Sequence, residues 1–252
     1  MKKRIIVGNW KMNPTTLDEA KRLFKSTKNT ADKLKSISVV LCPPFIYIPA
    51  LLNTRTESSV SIGAQDVYFE SQGSFTGEVS PAMLKDMGVS YVIVGHSERR
   101  AKGETDEMVS KKVSALLDIG ISPILCLGEK ERNENGSHLE FLKDQIKNSL
   151  YKVSKKYIAK LIIAYEPVWA IGAKEAMAPE DIYEMSIFIR KVLADMYGHD
   201  EAVSMPVLYG GSVNWRDAVD IFVKGQIDGL LVGRESVNRA GFVELLKVAD
   251  SI

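Results

Sequence analysis

Eight short apolar runs, each stopped by Gly, Pro or polar residues, constrain this chain more than any other feature of it. They are Arg4 to Asn9, Ser38 to Cys42, Val60 to Ala64, Tyr91 to Gly95, Ser122 to Leu127, Leu161 to Tyr165, Pro206 to Gly210 and Asp228 to Gly233. None alternates apolar with polar, so each reads as a strand covered on both faces. Helical spacing fills the intervals. Leu17, Ala20, Leu23 and Phe24 form one stripe, Val109, Val113, Leu116 and Leu117 a second, and Ile182, Met185, Ile189 and Leu193 a third. Pro179-Glu180-Asp181 reads as an acidic helix start with Pro in the first turn. Strand then helix, eight times within 252 residues, predicts a closed (β/α)8 barrel. A doubly wound open sheet with extra helices is the alternative that the same pattern allows. No Pro/Ser-rich linker divides the chain, so residues 1–252 are expected to form a single domain.

Bulk properties exclude several function classes. A formal net charge of +1 gives no reason to expect nucleic acid or an anionic membrane as partner. Met1-Lys2-Lys3-Arg4 looks like the basic start of a signal peptide, but only Ile5-Ile6-Val7 follows, far short of the roughly 7–15 apolar residues such a segment needs. No stretch approaches transmembrane length. Cys42 and Cys126 sit in apolar runs without metal-ligand spacing, which suits two buried free thiols. The expected compartment is the cytoplasm.

A barrel of this kind carries its reactive groups at the carboxyl ends of its strands. The unusual residues fall there: Asn9-Trp10-Lys11, Gly95-His96-Ser97-Glu98, Glu166, Gly210-Gly211-Ser212 and Gly233-Arg234. Each has a plainer reading taken singly. Lys11 could be a surface lysine, His96 a hydrogen-bonded core histidine, and Glu166 a salt-bridged strand end. Together they bring a cation, an acid/base and a carboxylate to one mouth, which suits proton abstraction beside a carbonyl. The two Gly-rich turns precede helical segments, where backbone N–H groups can cradle a phosphate. No dinucleotide fingerprint, Walker loop or metal-ligand cluster is present in the sequence. The residues therefore point to proton transfer on a small phosphorylated carbonyl compound, with no cofactor and no metal.

Six motifs, in order and at matching spacing, resemble the triosephosphate isomerase family over essentially the whole chain. They are Asn9-Trp10-Lys11-Met12-Asn13, Gly73-Ser74-Phe75-Thr76-Gly77-Glu78, Gly95 to Arg100, Cys126-Leu127-Gly128-Glu129, Tyr165 to Gly172 and Tyr209-Gly210-Gly211-Ser212-Val213. The resemblance implies a single-domain (β/α)8 TIM barrel that interconverts dihydroxyacetone phosphate and D-glyceraldehyde 3-phosphate through an enediolate, in glycolysis and gluconeogenesis. It implies Glu166 as the base and His96 as a neutral proton shuttle at the helix start near Ser97, a pairing known for this family. Lys11 and Asn9 would stabilise the enediolate oxygen. Backbone N–H groups of Gly172, Ser212, Gly233 and Arg234 would hold the phosphate, with Glu98, Ser97 and Tyr209 in support. A homodimer is implied too, with Phe75, Thr76 and Glu78 on a loop that reaches the partner's site.

The chain departs from the family at three places. The lid usually reads Ala-Ile-Gly-Thr-Gly-Lys and here reads Ala170-Ile171-Gly172-Ala173-Lys174-Glu175; closure is expected, with altered kinetics. The turn after the eighth strand usually has two glycines, and the second is Arg234. A positive φ at that residue would cost roughly 1 kcal/mol or more. Arg100 to Glu104 is one residue shorter than is usual, which bears on where the next helix starts. Two other readings remain: a barrel enzyme acting on a different phosphorylated sugar or indole precursor, and a non-catalytic scaffold that kept the motifs.

Overall fold

A computed structural model describes residues 3–54, 58–133, 136–172 and 176–252. Its eight strands are β1 (Arg4–Asn9), β2 (Ile37–Cys42), β3 (Val60–Ala64), β4 (Tyr91–Val94), β5 (Ser122–Leu127), β6 (Ile162–Tyr165), β7 (Val207–Tyr209) and β8 (Gly229–Val232). Each pairs in parallel with the next, and β8 closes on β1 with Ile5 opposite Gly229 and Gly8 opposite Val232. Every expected run holds its strand, with no end moved by more than one residue. Pro206 lies outside β7 because it has no N–H for the ladder. Gly210 and Gly233 already belong to the turns.

The continuous apolar runs have a structural cause. Residues at one parity point into the barrel, and those at the other meet the helices. Val7, Val40, Ile93, Ile124, Ile162, Leu208 and Leu231 form the inner cluster, with the free thiols Cys42 and Cys126 among them. Ile6, Leu41, Leu125, Ile163 and Val232 belong to the outer cluster under the helices. Both sides are dry. Burying each aliphatic side chain contributes about 1.5–3 kcal/mol.

The covering helices are α1 (Leu17–Ala31), α2 (Ile48–Asn53), α3 (Pro81–Asp86), α4 (Ser97–Arg100), α5 (Asp106–Asp118), α6 (Ser137–Ser149), α7 (Pro179–Tyr197), α8 (His199–Ser204), α9 (Ala218–Gly225) and α10 (Arg239–Ser251). Their starts are written locally. Thr16 accepts the N–H of Glu19 at 3.3 Å, Ser80 that of Met83 at 3.2 Å, and Asn238 that of Gly241 at 3.3 Å. Thr105 accepts the N–H of Met108 at 3.2 Å, which fixes the start of α5 at Asp106 despite the shortened connection before it. The expected apolar stripes are buried except at Leu17, the first residue of α1, which stays exposed.

Candidate active site

The same parity that fills the barrel delivers its reactive groups. Two residues beyond inward-facing Val7 stands Asn9, and two beyond inward-facing Ala164 stands Glu166. Gly210 and Gly233 follow Leu208 and Leu231 in the same way. At β4, Gly95 takes φ +70°, a backbone that favours glycine, and turns the chain so that His96 opens α4. A cavity of about 700 Å3 results at the carboxyl ends of the strands, lined by Asn9, Lys11, His96, Glu166, Gly172, Ser212, Gly233 and Arg234 among others. All eight residues read as catalytic or substrate-binding from the sequence therefore meet in one place. Among the described residues, no cluster of three or more His, Cys, Asp or Glu is arranged to hold a metal ion.

Glu166 and His96 face each other, both almost fully buried, with Nε2 of the ring 3.3 Å from Oε1 of the carboxylate. Gly128 makes room for this carboxylate's backbone: a Cβ there would sit 1.9 Å from the Glu166 carbonyl oxygen. Burial pushes the Glu166 carboxyl up, but His96, a hydrogen bond from Cys126 and then Lys11 outweigh it and hold the pKa below the ordinary value. For His96, burial disfavours charge while the Glu166 carboxylate favours it, and the balance of these forces raises the pKa. A hydrogen bond opposes that rise. Nδ1 accepts the N–H of Glu98 at 3.2 Å, which it can do only with a lone pair. A second ring proton would break this bond and face the N–H, so we assign a neutral ring carrying its proton on Nε2, toward Glu166.

The depressed carboxyl has a measurable sign. A group held below its unfolded value adds stability above that value and loses it as pH falls through the folded pKa. A carbon-13 NMR titration of Glu166 in the free protein is expected to give a midpoint below about 4.3, the unperturbed glutamate value. A midpoint above it would mean that burial, not His96, dominates.

Lys11 is held in an unusual posture, with φ +53°. Three contacts fix it. Its N–H donates to Oδ1 of Asn9 at 3.0 Å, Nε2 of Gln65 donates to its carbonyl at 2.8 Å, and its ammonium bonds Oε1 of Glu98 at 2.7 Å. The same Gln65 amide reaches the Cys42 carbonyl at 2.9 Å, tying the turn after β1 to β2. Glu98 thus serves both neighbours, its carboxylate toward Lys11 and its N–H toward His96. Gln65 was not legible in the sequence, because its work is done on two carbonyls that leave no pattern.

The other end of the cavity is built from turns. Gly233 is followed by a 3-10 turn, Arg234–Val237, and Arg234 does not have a positive φ, so the feared backbone cost is absent. Glu235 faces the Nδ2 of Asn238, at 3.3 and 3.4 Å from its two oxygens. The Ser212 N–H donates to the Ala170 carbonyl at 3.2 Å, joining the β7 turn to the lid stem. That stem is anchored by Glu129, a buried carboxylate that accepts from Tyr165 Oη at 2.9 Å, Trp169 Nε1 at 3.0 Å and Arg132 Nε at 3.2 Å. Beyond the lid, the Met177 N–H donates to Tyr209 Oη at 3.1 Å. Burial pushes that phenol up to about 12, so it stays a neutral acceptor for this N–H. Ala173, Lys174 and Glu175, on which the expected change in the lid falls, lie outside the described residues.

Behind His96 lies a group that sequence reading missed. Lys112, fully buried on α5, bonds Asp66 at 2.7 Å and also Glu104, and Arg99 on α4 bonds Asp66 at 2.8 Å. Between Val109 and Val113 a lysine reads as a solvated position, so nothing local marks it. On the opposite flank, the residues from Gly73 to Glu78 are all exposed. Phe75 is 40% exposed and leans on Tyr68, ring centroids 4.7 Å apart.

A barrel whose mouth pairs a buried carboxylate with an imidazole, opposite turns suited to an anion, belongs among the enzymes that move protons on small anionic substrates. Comparison with known proteins narrows the class. The family model described as Triosephosphate isomerase matches residues 4–249. Relatives named triosephosphate isomerase include those of Fusobacterium nucleatum, 44% identical over 99% of this chain and 100% of the relative, and Dehalococcoides mccartyi strain 195, 42% identical over 100% and 99%. That of Finegoldia magna is 43% identical over 98% of both chains. The chain belongs to the triosephosphate isomerase family.

Proposed function

We propose that Glu166, His96, Lys11 and Asn9 carry out the reaction of this isomerase, the interconversion of dihydroxyacetone phosphate and D-glyceraldehyde 3-phosphate in glycolysis. Glu166 removes the proton from the hydroxyl-bearing carbon beside the carbonyl, and the electron pair moves onto the carbonyl oxygen to give the enediolate. His96 polarises that oxygen through Nε2–H and relays a proton between the two oxygens. The Lys11 ammonium and the Asn9 amide stabilise the developing negative charge. Glu166 then returns its proton to the neighbouring carbon. Gly172, Ser212, Gly233 and Arg234 hold the phosphate through their N–H groups, and the Ser212 N–H exchanges the Ala170 carbonyl for it. The observation that carries this reading is the 3.3 Å contact between the buried Glu166 carboxylate and Nε2 of His96, whose Nδ1 accepts the Glu98 N–H.

A coupled assay with dihydroxyacetone phosphate in deuterium oxide tests the proposal. Turnover with deuterium at the carbon that receives the proton is expected. Turnover without exchange would replace proton transfer by a hydride shift, and no turnover from folded protein would remove the reading.

Residues 1–252 act as one catalytic domain in this reading, and the active form is a homodimer. Phe75, Thr76 and Glu78 enter the partner's mouth near Asn9 and Lys11, which the exposure of the loop supports. Sedimentation equilibrium is expected to give twice the chain mass of 27.9 kDa; a monomer mass would remove the dimer. The compartment is the cytoplasm, where two free buried thiols are ordinary. Among the described residues, no helix is long and apolar enough to cross a membrane.

A further inference from the structure

The charges around the cavity do not favour the substrate assigned to it. Glu166 and Glu235 are negative and line the cavity, and Lys11 is bonded to Glu98 at 2.7 Å, which neutralises much of its field. A phosphoryl dianion entering here meets two carboxylates and one cation that already has a partner. The remaining charged side chain of the lining is Arg234. It is exposed at the mouth, and among the described residues no carboxylate lies within ion-pair distance of it. Glu235, its neighbour in sequence, is engaged by Asn238.

Position strengthens the case. Nη2 of Arg234 lies 3.5 Å from where a Cβ on Gly172 would stand. One side chain thus reaches from the β8 turn to the lid stem, between two of the backbone N–H groups assigned to the phosphate. On the far side of the β8 turn, Lys11 Cε is 3.4 Å from the corresponding point on Gly233. The anion end is bracketed by a paired ammonium and a guanidinium that has no ion-pair partner among the described residues.

We propose that the Arg234 guanidinium captures the phosphoryl dianion at the mouth, a role separate from that of the Arg234 N–H. It offsets the repulsion from Glu166 and Glu235, raises the rate of productive encounter, and makes the site sensitive to competing oxyanions such as inorganic phosphate. This inference rests on the reading of the cavity as a phosphate-ester site. Being exposed, the charge acts through water and is screened by salt. A unit charge about 6 Å from a dianion in a water-like dielectric changes its affinity by roughly tenfold.

The test compares kcat/KM and phosphate inhibition for the native enzyme, Arg234→Gln and Arg234→Lys at low and high salt. At about 10 mM salt, where the screening length is about 30 Å, Arg234→Gln is expected to lose roughly tenfold in kcat/KM and in phosphate affinity. Near 300 mM the gap closes to about twofold, and Arg234→Lys recovers most of the loss at both salts. Two outcomes overturn the proposal. In one, native and glutamine enzymes fall in parallel with salt. In the other, a loss of equal size at every salt is not rescued by lysine, which marks a structural role for the side chain. Direct titration of inorganic phosphate into the free proteins gives the same comparison without turnover, so failure of the isomerase reading and failure of this one are told apart.

Discussion

Replacing Glu166 with alanine is expected to lower kcat by roughly 10²–10⁴-fold, the range over which a positioned general base contributes. That corresponds to about 3–5 kcal/mol of barrier. The loss is expected to fall on kcat, because the N–H groups proposed to hold the phosphate lie on other turns and do not depend on this side chain. The fold survives, since the change removes a buried charge and leaves a neutral imidazole opposite a small apolar residue. His96 also loses the carboxylate that does most to raise its pKa, so burial, with Lys11 beside it, outweighs Glu98 and lowers the ring's pKa. The coupled assay on native and variant protein, with circular dichroism to verify folding, reads the effect. Turnover in Glu166→Ala within tenfold of native would move the base elsewhere in the mouth.

The largest stability effect is expected at Lys112. Lys112→Met leaves Glu104 without its cation and Asp66 with Arg99 alone, in a region that excludes water. Breaking a buried ion pair from one side costs about 3–5 kcal/mol, because a charge is left uncompensated. For a chain of this size each kcal/mol moves Tm by about 2–4 °C, so a fall of roughly 6–20 °C should appear in calorimetry. Adding Glu104→Gln to the variant should recover part of it. A loss under about 1 kcal/mol would show that the carboxylates take up protons at little cost. Catalysis should suffer as well: Arg99 belongs to α4, the helix that gives His96 its N–H donor from Glu98, and loosening the cluster loosens that bond.

These two sites mark the boundary of what could be read from the sequence. Asn9 and Glu166 were legible because each continues a strand by the parity rule that also fills the core, so a run of apolar residues fixes where the next side chain points. His96 was legible by position, but its hydrogen bond to Glu98 was not; that contact depends on Gly95 turning at positive φ. Lys112 looked like any polar residue on an amphipathic helix, and only the packing of α5 against β4 and β5 turns it inward. Gln65 acts through carbonyls 54 and 23 positions away along the chain. The Arg234 turn could not be settled from residue type, since a 3-10 start at negative φ and a left-handed turn both follow Gly. Leu17 matched a stripe by spacing, yet as the first residue of α1 it stays exposed.

The placement of the two thiols makes the barrel its own timekeeper. Cys42 on β2 and Cys126 on β5 both point inward, and burial raises both pKa values, so the reactive thiolate scarcely forms while the strands are closed. An alkylating reagent added to the folded protein therefore counts openings of the barrel and not collisions with its surface. Because the two strands lie on different sides of the ring, the order in which the two sulfurs are labelled tells which wall parts first, in the native chain and without an added probe.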